Sequence, residues 1–449
     1  MISDGRPIKL HRGFGLWHAT AMNMSNMVGI GPFLTIPLIL ASMGGPQAML
    51  GWILGALLAV CDGAVWAELA SAVPLSGGSF EYLKAAYAGT RWGRLLPFLF
   101  IWQFLLSGPL EIASGNIGFA QYLTYLLPMR PHEVQWLAAG VGALTVLLLY
   151  RKIESVGTLL VALWLGVLLT LAAVLVPGLR HFHAATAFDF PPGAFRFSQG
   201  FALGLGSAMM WAMYDFLGYY SVCYIGDEVR QPSRTIPRSI LISVLVVAAI
   251  YLAMNVAIIG VVPWREALDS KFIASLFMER LYGPVGGVVI TVMVCWTALA
   301  SVFALMLGYS RIPYAAARDG FFFSAFAGLH PRGDFPHVAL LVLGVVTVVA
   351  SFFPLEAVIG ALMTTRILVQ FIAQIAAVSR LRWRGSHPAA FRMTWYPWPA
   401  LIALAGWTYI FATSGAYYIA WGVATLAAGT ASYLAWRVLA RSGRGGAGG

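Results

Sequence analysis

Long apolar runs without a charged residue dominate this chain. Asp, Glu, Lys and Arg are all absent from residues 13–61, 155–179, 239–264, 281–310 and 393–436. An α-helix needs about 20 apolar residues to cross the hydrocarbon core of a bilayer. Each run is therefore long enough for one crossing, and the first and last are long enough for two. The pattern predicts an all-α integral membrane protein that crosses the bilayer many times.

Glycine, proline and polar clusters divide the apolar runs into twelve predicted transmembrane helices, which we call spans one to twelve. The connections between them are short, so residues 1–449 are expected to form a single domain without a separate extramembrane part. The spans are expected near residues 14–40, 46–71, 95–127, 134–150, 155–177, 199–225, 238–262, 284–310, 336–353, 356–379, 397–414 and 416–438.

Lysines and arginines fall mainly in alternate connections between the spans. If both termini are cytoplasmic, 21 of the 28 lie on the cytoplasmic side, six lie on the other side, and Arg366 lies within a span. Cytoplasmic segments of membrane proteins carry an excess of these residues. The distribution therefore predicts a multi-pass protein of the cell membrane with both termini cytoplasmic. The six residues on the other side are Arg130, Arg180, Arg196, Arg265, Lys271 and Arg280.

Composition agrees with a bilayer environment. Hydrophobic residues make up 60% of the chain and charged residues 10%, and the mean hydropathy is +0.79. The net charge of +11 comes from basic residues scattered singly between apolar runs, which argues against nucleic-acid binding. Cys61, Cys223 and Cys295 all lie in apolar segments, where thiols act as small hydrophobic groups, so no disulfide is expected.

Span one contains a helix-breaking cluster near its middle. Gly29, Gly31 and Pro32 follow one another within four residues. Proline is well tolerated at the first position of a helix, so Pro32 is expected to start a second half-helix after an unwound stretch. Unwound backbone survives at membrane depth only where it faces protein or a wet cavity. The cluster therefore predicts a discontinuous helix that lines a cavity.

Span six contains the other unusual sequence, with Asp215 and Gly218 inside an apolar run. We expect a second break near residues 214–218. Spans one and six each open a group of five spans, which favours a five-plus-five inverted repeat over 14–177 and 199–379, followed by two additional helices over 397–438. The alternative is two kinked helices with glycines that only serve packing.

Four segments together resemble the amino acid–polyamine–organocation superfamily, in its amino acid permease branch. They are Gly29-Ile30-Gly31-Pro32-Phe33; Glu68-Leu69-Ala70 with Pro74 and Ser76-Gly77-Gly78; Gly226-Asp227-Glu228-Val229-Arg230-Gln231-Pro232 with Arg234; and Arg311 with Tyr314-Ala315-Ala316-Ala317-Arg318-Asp319-Gly320. The resemblance implies secondary active transport of an amino acid by alternating access, as symport or exchange. A polyamine or another organic amine is the alternative substrate.

The resemblance also implies a substrate clamp between the two breaks. The carboxylate would lie at Ile30 and Gly31, where free N–H groups at a half-helix start attract an anion. The ammonium would lie at half-helix ends, on carbonyls near Met24, Met27, Tyr214 and Phe216. Tyr214 is a candidate gate. Pro32 removes one N–H from the anion site, and span five lacks the lysine that some relatives carry. The implied binding residues are Met24, Met27, Val28, Gly29, Ile30, Gly31, Glu111, Tyr214, Asp215 and Phe216.

Ionisable residues at membrane depth are expensive and therefore tend to be paired or functional. Asp215, beside the second break, is the strongest functional candidate, with a bond to Tyr219 or Tyr220 as the structural alternative. Arg366 is expected to pair with Asp62 or Glu111. Residues with an expected coupling or ion-pair role are Asp62, Glu111, Asp215 and Arg366.

Motifs of enzymes, ATP-driven pumps and metal sites are missing from the sequence. No HExxH, phosphate-binding glycine loop or nucleophile elbow occurs, so no cofactor or metal is expected, and the only predicted accessory ligand is a coupling ion, H⁺ or Na⁺. A transporter-like sensor and an intramembrane enzyme are the rivals from other classes. The residues leave the oligomeric state open.

Overall fold

The computed structural model describes residues 13–150, 156–331, 335–385 and 389–445. Nearly all of these residues are helical, and the described residues form no β-strand beyond a single bridge between Phe14 and Val229. The predicted start of span five at residue 155 lies outside the described residues. The all-α prediction is confirmed for the described part of the chain.

Eighteen α-helices follow one another along the described chain. In chain order they are α1 (Leu16–Met27), α2 (Gly31–Met43), α3 (Met49–Ala72), α4 (Ser79–Tyr87), α5 (Leu95–Leu123), α6 (Pro131–Leu149), α7 (Val156–Arg180), α8 (Ala184–Ala187), α9 (Gln199–Phe216), α10 (Pro232–Ile259), α11 (Trp264–Leu268), α12 (Ile273–Tyr309), α13 (Arg311–Arg318), α14 (His337–Ala350), α15 (Leu355–Arg366), α16 (Ala373–Arg384), α17 (Trp398–Thr413) and α18 (Ala416–Gly445).

Seven helical segments of the described chain are long and apolar enough to cross a membrane. The number rises to nine if each of two bent pairs, α1 with α2 and α17 with α18, counts as one span. Predicted span nine is a shorter apolar helix, α14. The protein is therefore a multi-pass membrane protein, and the count of twelve spans stays a prediction.

The break in span one lies at Val28–Ile30. Helix α1 ends at Met27, helix α2 begins at Gly31 with Pro32 at its start, and the two are bent by 52°. Val28 has extended backbone angles, and its N–H still closes the last turn of α1 on the Met24 carbonyl, at 2.8 Å. Helix α2 therefore presents its N-terminus inside the protein.

The break in span six lies at Leu217 and Gly218, within the stretch near Tyr214 to Gly218 where it was expected. Helix α9 continues through Phe216 and unwinds at Leu217. Gly218 has a φ of +109°, which a side chain would disfavour. A short 3₁₀ helix, Ser221–Glu228, follows the break. The sequence could not locate the last helical turn because Tyr214, Asp215 and Phe216 are all compatible with a helix.

Packing brings the two broken segments together. Helix α2 packs along α9, α1 packs along α10, and α3 packs against both α9 and α10. A second group of helices forms around α12, which packs along α5 and α7, and α15 also packs along α5. Helix α12 carries a kink at Gly283, so its apolar part begins near the predicted start of span eight. The breaks therefore lie between two groups of helices.

Candidate functional site

A small cavity of about 40 Å³ lies where the two breaks meet. Residues of the first break form one wall, the end of α9 forms the second, and α5 and α12 close the rest. Its lining residues are Asn26, Met27, Gly29, Ile30, Gly31, Glu111, Gly115, Tyr214, Asp215, Leu217, Ser301, Val302 and Leu305.

Seven of the ten residues implied as substrate-binding line this cavity: Met27, Gly29, Ile30, Gly31, Glu111, Tyr214 and Asp215. The other three, Met24, Val28 and Phe216, are not among its lining residues. The ring of Phe216 instead packs against Trp52 and Tyr251, with ring centres 6.2 and 5.6 Å away.

Asp215 bridges the two broken helices. Its Oδ2 accepts a hydrogen bond from the Thr35 hydroxyl of α2, at 2.5 Å. Its Oδ1 is buried, makes no hydrogen bond to the described residues, and lies against Gly31, where a Cβ atom would collide with it. The alternative partners Tyr219 and Tyr220 are therefore not used. A carboxylate at the start of a helix is favoured by the helix dipole.

Hydroxyl and amide groups already use several carbonyls that were expected to hold an ammonium. The hydroxyl of Tyr251 donates to the Met27 carbonyl at 2.6 Å and lies 3.4 Å from the Asp215 carbonyl. The Met24 carbonyl accepts from Val28, and the Tyr214 carbonyl accepts from Leu217 at 3.1 Å. Tyr251 thus links the C-terminal ends of α1 and α9.

Glu111 pairs with Arg366 at the edge of the cavity. Arg366 Nη2 lies 2.6 Å from Glu111 Oε2, and both side chains are almost completely buried. The Tyr309 hydroxyl donates to the same carboxylate oxygen at 2.7 Å. Arg366 also donates to the hydroxyls of Ser107 and Tyr220, each at 3.2 Å. The guanidinium therefore joins α5, α15 and the segment after the second break.

Asp62 lies apart from this pair. Its Oδ2 accepts a hydrogen bond from the Tyr219 hydroxyl. Of the two acids expected as partners of Arg366, the structure thus pairs it with Glu111 and not with Asp62. Successive tyrosines after the second break point to different groups, with Tyr219 bound to Asp62 and Tyr220 bound to Arg366.

A row of polar side chains, which we call the polar seam, lies between α5 and predicted span ten. It extends the Glu111–Arg366 pair. Its residues recur at every fourth position on each of the two helical segments. In span ten, a π-helical turn, Ile367–Ile372, follows directly after Arg366. Gln103 donates to Gln370 at 3.4 Å, and Ser107 donates to Gln103 at 3.1 Å. The sequence prediction missed this seam, although its spacing was visible as Gln103, Ser107 and Glu111 on one helix and Arg366, Gln370 and Gln374 on the other.

Tyr214 is held at the cavity wall. Its hydroxyl forms a 2.7 Å hydrogen bond with the hydroxyl of Ser114, on α5. Ser301, Val302 and Leu305 on α12 complete the wall and were not predicted. Serine, valine and leucine are common in any apolar helix, so only the fold identifies these three residues as part of the cavity wall.

Two larger cavities adjoin the site on the side of α1. They enclose about 400 and 300 Å³, and both are lined by Met22, Asn26, Gly308 and Arg311. Asn26 also lines the small cavity between the breaks. The two larger cavities thus adjoin the small one at Asn26 and extend to Arg311, the first residue of α13. Within the described residues, no group of three or more His, Cys, Asp or Glu side chains could hold a metal ion.

The family model for amino acid permeases matches residues 14–440. The chain belongs to the amino acid permease family. This permease is 30% identical to an uncharacterized transporter of Mycobacterium tuberculosis over 98% of this chain and 94% of the relative. It is 25% identical to cationic amino acid transporter 4 of Mus musculus, over 85% of this chain and 61% of that relative.

The permease is also 24% identical to the serine/threonine exchanger SteT of Bacillus subtilis, over 88% of this chain and 90% of that relative. The resemblance to the amino acid–polyamine–organocation superfamily is therefore confirmed. Because its relatives are transporters, this membrane protein is a transporter and not an enzyme.

Proposed function

We propose that this permease moves an amino acid across the cell membrane by secondary active transport, with the substrate bound between the breaks after α1 and α9. The observation that carries the proposal is the small cavity lined by both breaks, into which a helix start and a buried carboxylate both face. Broken helices whose ends meet at mid-membrane are the usual substrate site of inverted-repeat transporters.

Twelve spans in a five-plus-five inverted repeat are part of this proposal. The repeats would cover 14–177 and 199–379, with two further helices over 397–438 and both termini in the cytoplasm. The wider cavities beside α1 are both lined by Arg311, the first residue of α13. Under the proposed orientation this residue is on the cytoplasmic side, so these cavities would form the cytoplasmic route to the site in an alternating-access cycle.

The two carboxylates at the cavity have different proposed roles. Glu111 is neutralised by Arg366, which keeps its charge fixed. Asp215 has no cationic partner among the described residues, so its free oxygen is the group that can bind a coupling proton or the substrate's ammonium. A coupling Na⁺ is the alternative ion.

An organic amine is the second candidate substrate, and one observation favours it. The Asp215 carboxylate already lies against Gly31, at the helix start where a substrate carboxylate was expected. Pro32 also removes one N–H donor from this helix start. An amine without a carboxylate would fit a site arranged in this way.

Counterflow in proteoliposomes tests the proposal and separates the two substrates. Liposomes loaded with unlabelled L-alanine, L-serine, L-lysine or putrescine are given the same compound in labelled form outside. The proposal predicts accumulation with at least one amino acid. Accumulation with putrescine alone would favour the amine, and no accumulation with any compound in a broad panel would contradict transport.

A further inference from the structure

Two arginines at the end of α16 are bound to the end of α4. Arg380 donates from Nε to the Ala86 carbonyl at 2.9 Å. Arg384 donates to the carbonyls of Ala86 and Ala88, at 3.1 to 3.3 Å. These carbonyls lie at a helix C-terminus, where a cation is favoured. The contacts fix both guanidinium groups in place next to the turn that follows α4.

That turn carries a third arginine. The Thr90 hydroxyl donates to the Tyr87 carbonyl at 2.7 Å and accepts from the Trp92 N–H at 3.2 Å. Gly89 allows the turn with a φ of +74°. The turn presents Arg91 and Trp92 on the surface, with the guanidinium 5.0 Å from the centre of the indole ring. We call Arg91, Arg380 and Arg384, together with Trp92 and Trp383, the arginine rim.

The described acidic residues do not balance the charge of the rim. Within the described ranges, none of its three arginines forms an ion pair. Two neighbouring cations, in contrast, form ion pairs. Lys84 lies 2.9 Å from both Glu81 and Asp319, and Arg382 pairs with Glu68. No Asp or Glu follows Glu356 in the sequence. The described residues therefore leave these three guanidinium groups available to an anion from outside the chain.

The rim also lies at the ends of two helices of the predicted spans. Helix α5 begins three residues after Trp92, and α16 ends one residue after Trp383, so both tryptophans mark the level where membrane helices leave the apolar core. Trp383 is 85% exposed and Trp92 is 42% exposed. Indole rings favour this interface. Arginine groups are well suited to binding a phosphate through several N–H groups at once.

We propose that the arginine rim binds the phosphate of an anionic glycerophospholipid in the leaflet that faces this end of the protein. The guanidinium groups of Arg380, Arg384 and Arg91 hold the phosphodiester, and the two indoles lie against the glycerol and upper acyl region. The lipid would brace the end of α16 against the turn after α4. This binding site is independent of the substrate cavity and of the direction of transport.

The test measures lipid binding to the purified full-length protein in detergent by native mass spectrometry. Phosphatidylglycerol and phosphatidylcholine with identical acyl chains are compared. The double variant Arg380→Gln/Arg384→Gln is expected to bind phosphatidylglycerol about tenfold or more weakly, because two charge-assisted contacts are lost. The matched control is Arg234→Gln/Arg238→Gln, which removes the same charge at the exposed start of α10 and should bind like the wild type.

Three outcomes would overturn the proposal. Equal loss in both double variants would mean that only total charge matters. Equal binding of phosphatidylglycerol and phosphatidylcholine would remove the need for an anionic lipid. Competition by millimolar inorganic phosphate that fully replaces the lipid would assign the rim to free phosphate. If the double variant fails to fold, Arg91→Gln is the substitute, because the Arg91 side chain bonds to no backbone carbonyl of the described chain. Arg91→Gln should still weaken the binding of phosphatidylglycerol. Unchanged binding in this variant would contradict the site.

Discussion

Arg366 and Glu111 form an ion pair in which the guanidinium and the carboxylate are 2.6 Å apart and shielded from solvent. The pair fixes the charge of Glu111, one of the two carboxylates at the cavity. The second carboxylate, that of Asp215, has no cationic partner in the described chain. Two acidic side chains close to one site thus have different environments. This difference underlies the roles that we propose for them.

Removal of Arg366 should be strongly destabilising. Arg366→Met leaves Glu111 buried without its counter-charge, and breaking a buried ion pair in this way costs roughly 3–5 kcal/mol. We expect a large fall in the yield of monodisperse protein and in its thermal unfolding temperature. Adding Glu111→Gln to this variant should recover part of the loss, whereas adding Asp62→Asn should not. Rescue by Asp62→Asn alone would mean that the ion pair is assigned to the wrong acid.

Asp215→Asn separates the roles proposed for this carboxylate. The change keeps the shape and removes the charge. If Asp215 binds the coupling proton, the variant should still exchange substrate across the membrane but should lose uptake driven by a pH gradient. If it binds the substrate's ammonium, binding should weaken about tenfold or more, because a charge-assisted hydrogen bond is lost.

Thermal-shift titration of the substrate and uptake under an imposed pH gradient measure these two effects separately. Thr35→Val is the matched control, because it removes only the hydroxyl that bonds to Asp215. Wild-type affinity together with wild-type pH dependence in Asp215→Asn would leave this residue with a structural role only.

Tyr219→Phe tests the link between Asp62 and the second break. The variant removes the hydroxyl that donates to the buried carboxylate, so the loss should be about 1–3 kcal/mol of unfolding free energy. In the Asp62→Asn background the same change should cost less. Tyr417→Phe, at a tyrosine that is 70% exposed, serves as the control and should be neutral. Additive effects of the two changes would argue against a direct interaction.

Much of the site could be predicted because its residues carry strong local signals. The break at Gly29–Gly31 follows from two glycines and a proline in an apolar run, and the pairing of Arg366 follows from the cost of an isolated charge at that depth. The second break lies at the C-terminal end of the predicted stretch, since α9 continues through Phe216. Gly218, with a φ of +109°, follows directly after this helix end.

Neutral partners in the site could not be predicted from the sequence. Thr35, Tyr251 and Tyr309 each place one hydroxyl on a critical group. Threonine and tyrosine are common in membrane helices, so nothing in the local sequence distinguishes these three from residues that only pack. Their roles depend on which helices become neighbours.

Substrate binding between the two breaks is tested most directly by counterflow with Gly31→Ala. A Cβ atom at this position would collide with the Asp215 carboxylate and lie 3.3 Å from the Tyr214 ring. Gly140→Ala, at a glycine with open space around it, is the matched control. With the amino acid that gives the largest wild-type signal, we predict that Gly31→Ala loses nearly all counterflow while its membrane insertion is unchanged. Wild-type counterflow in Gly31→Ala would contradict a substrate site between the breaks.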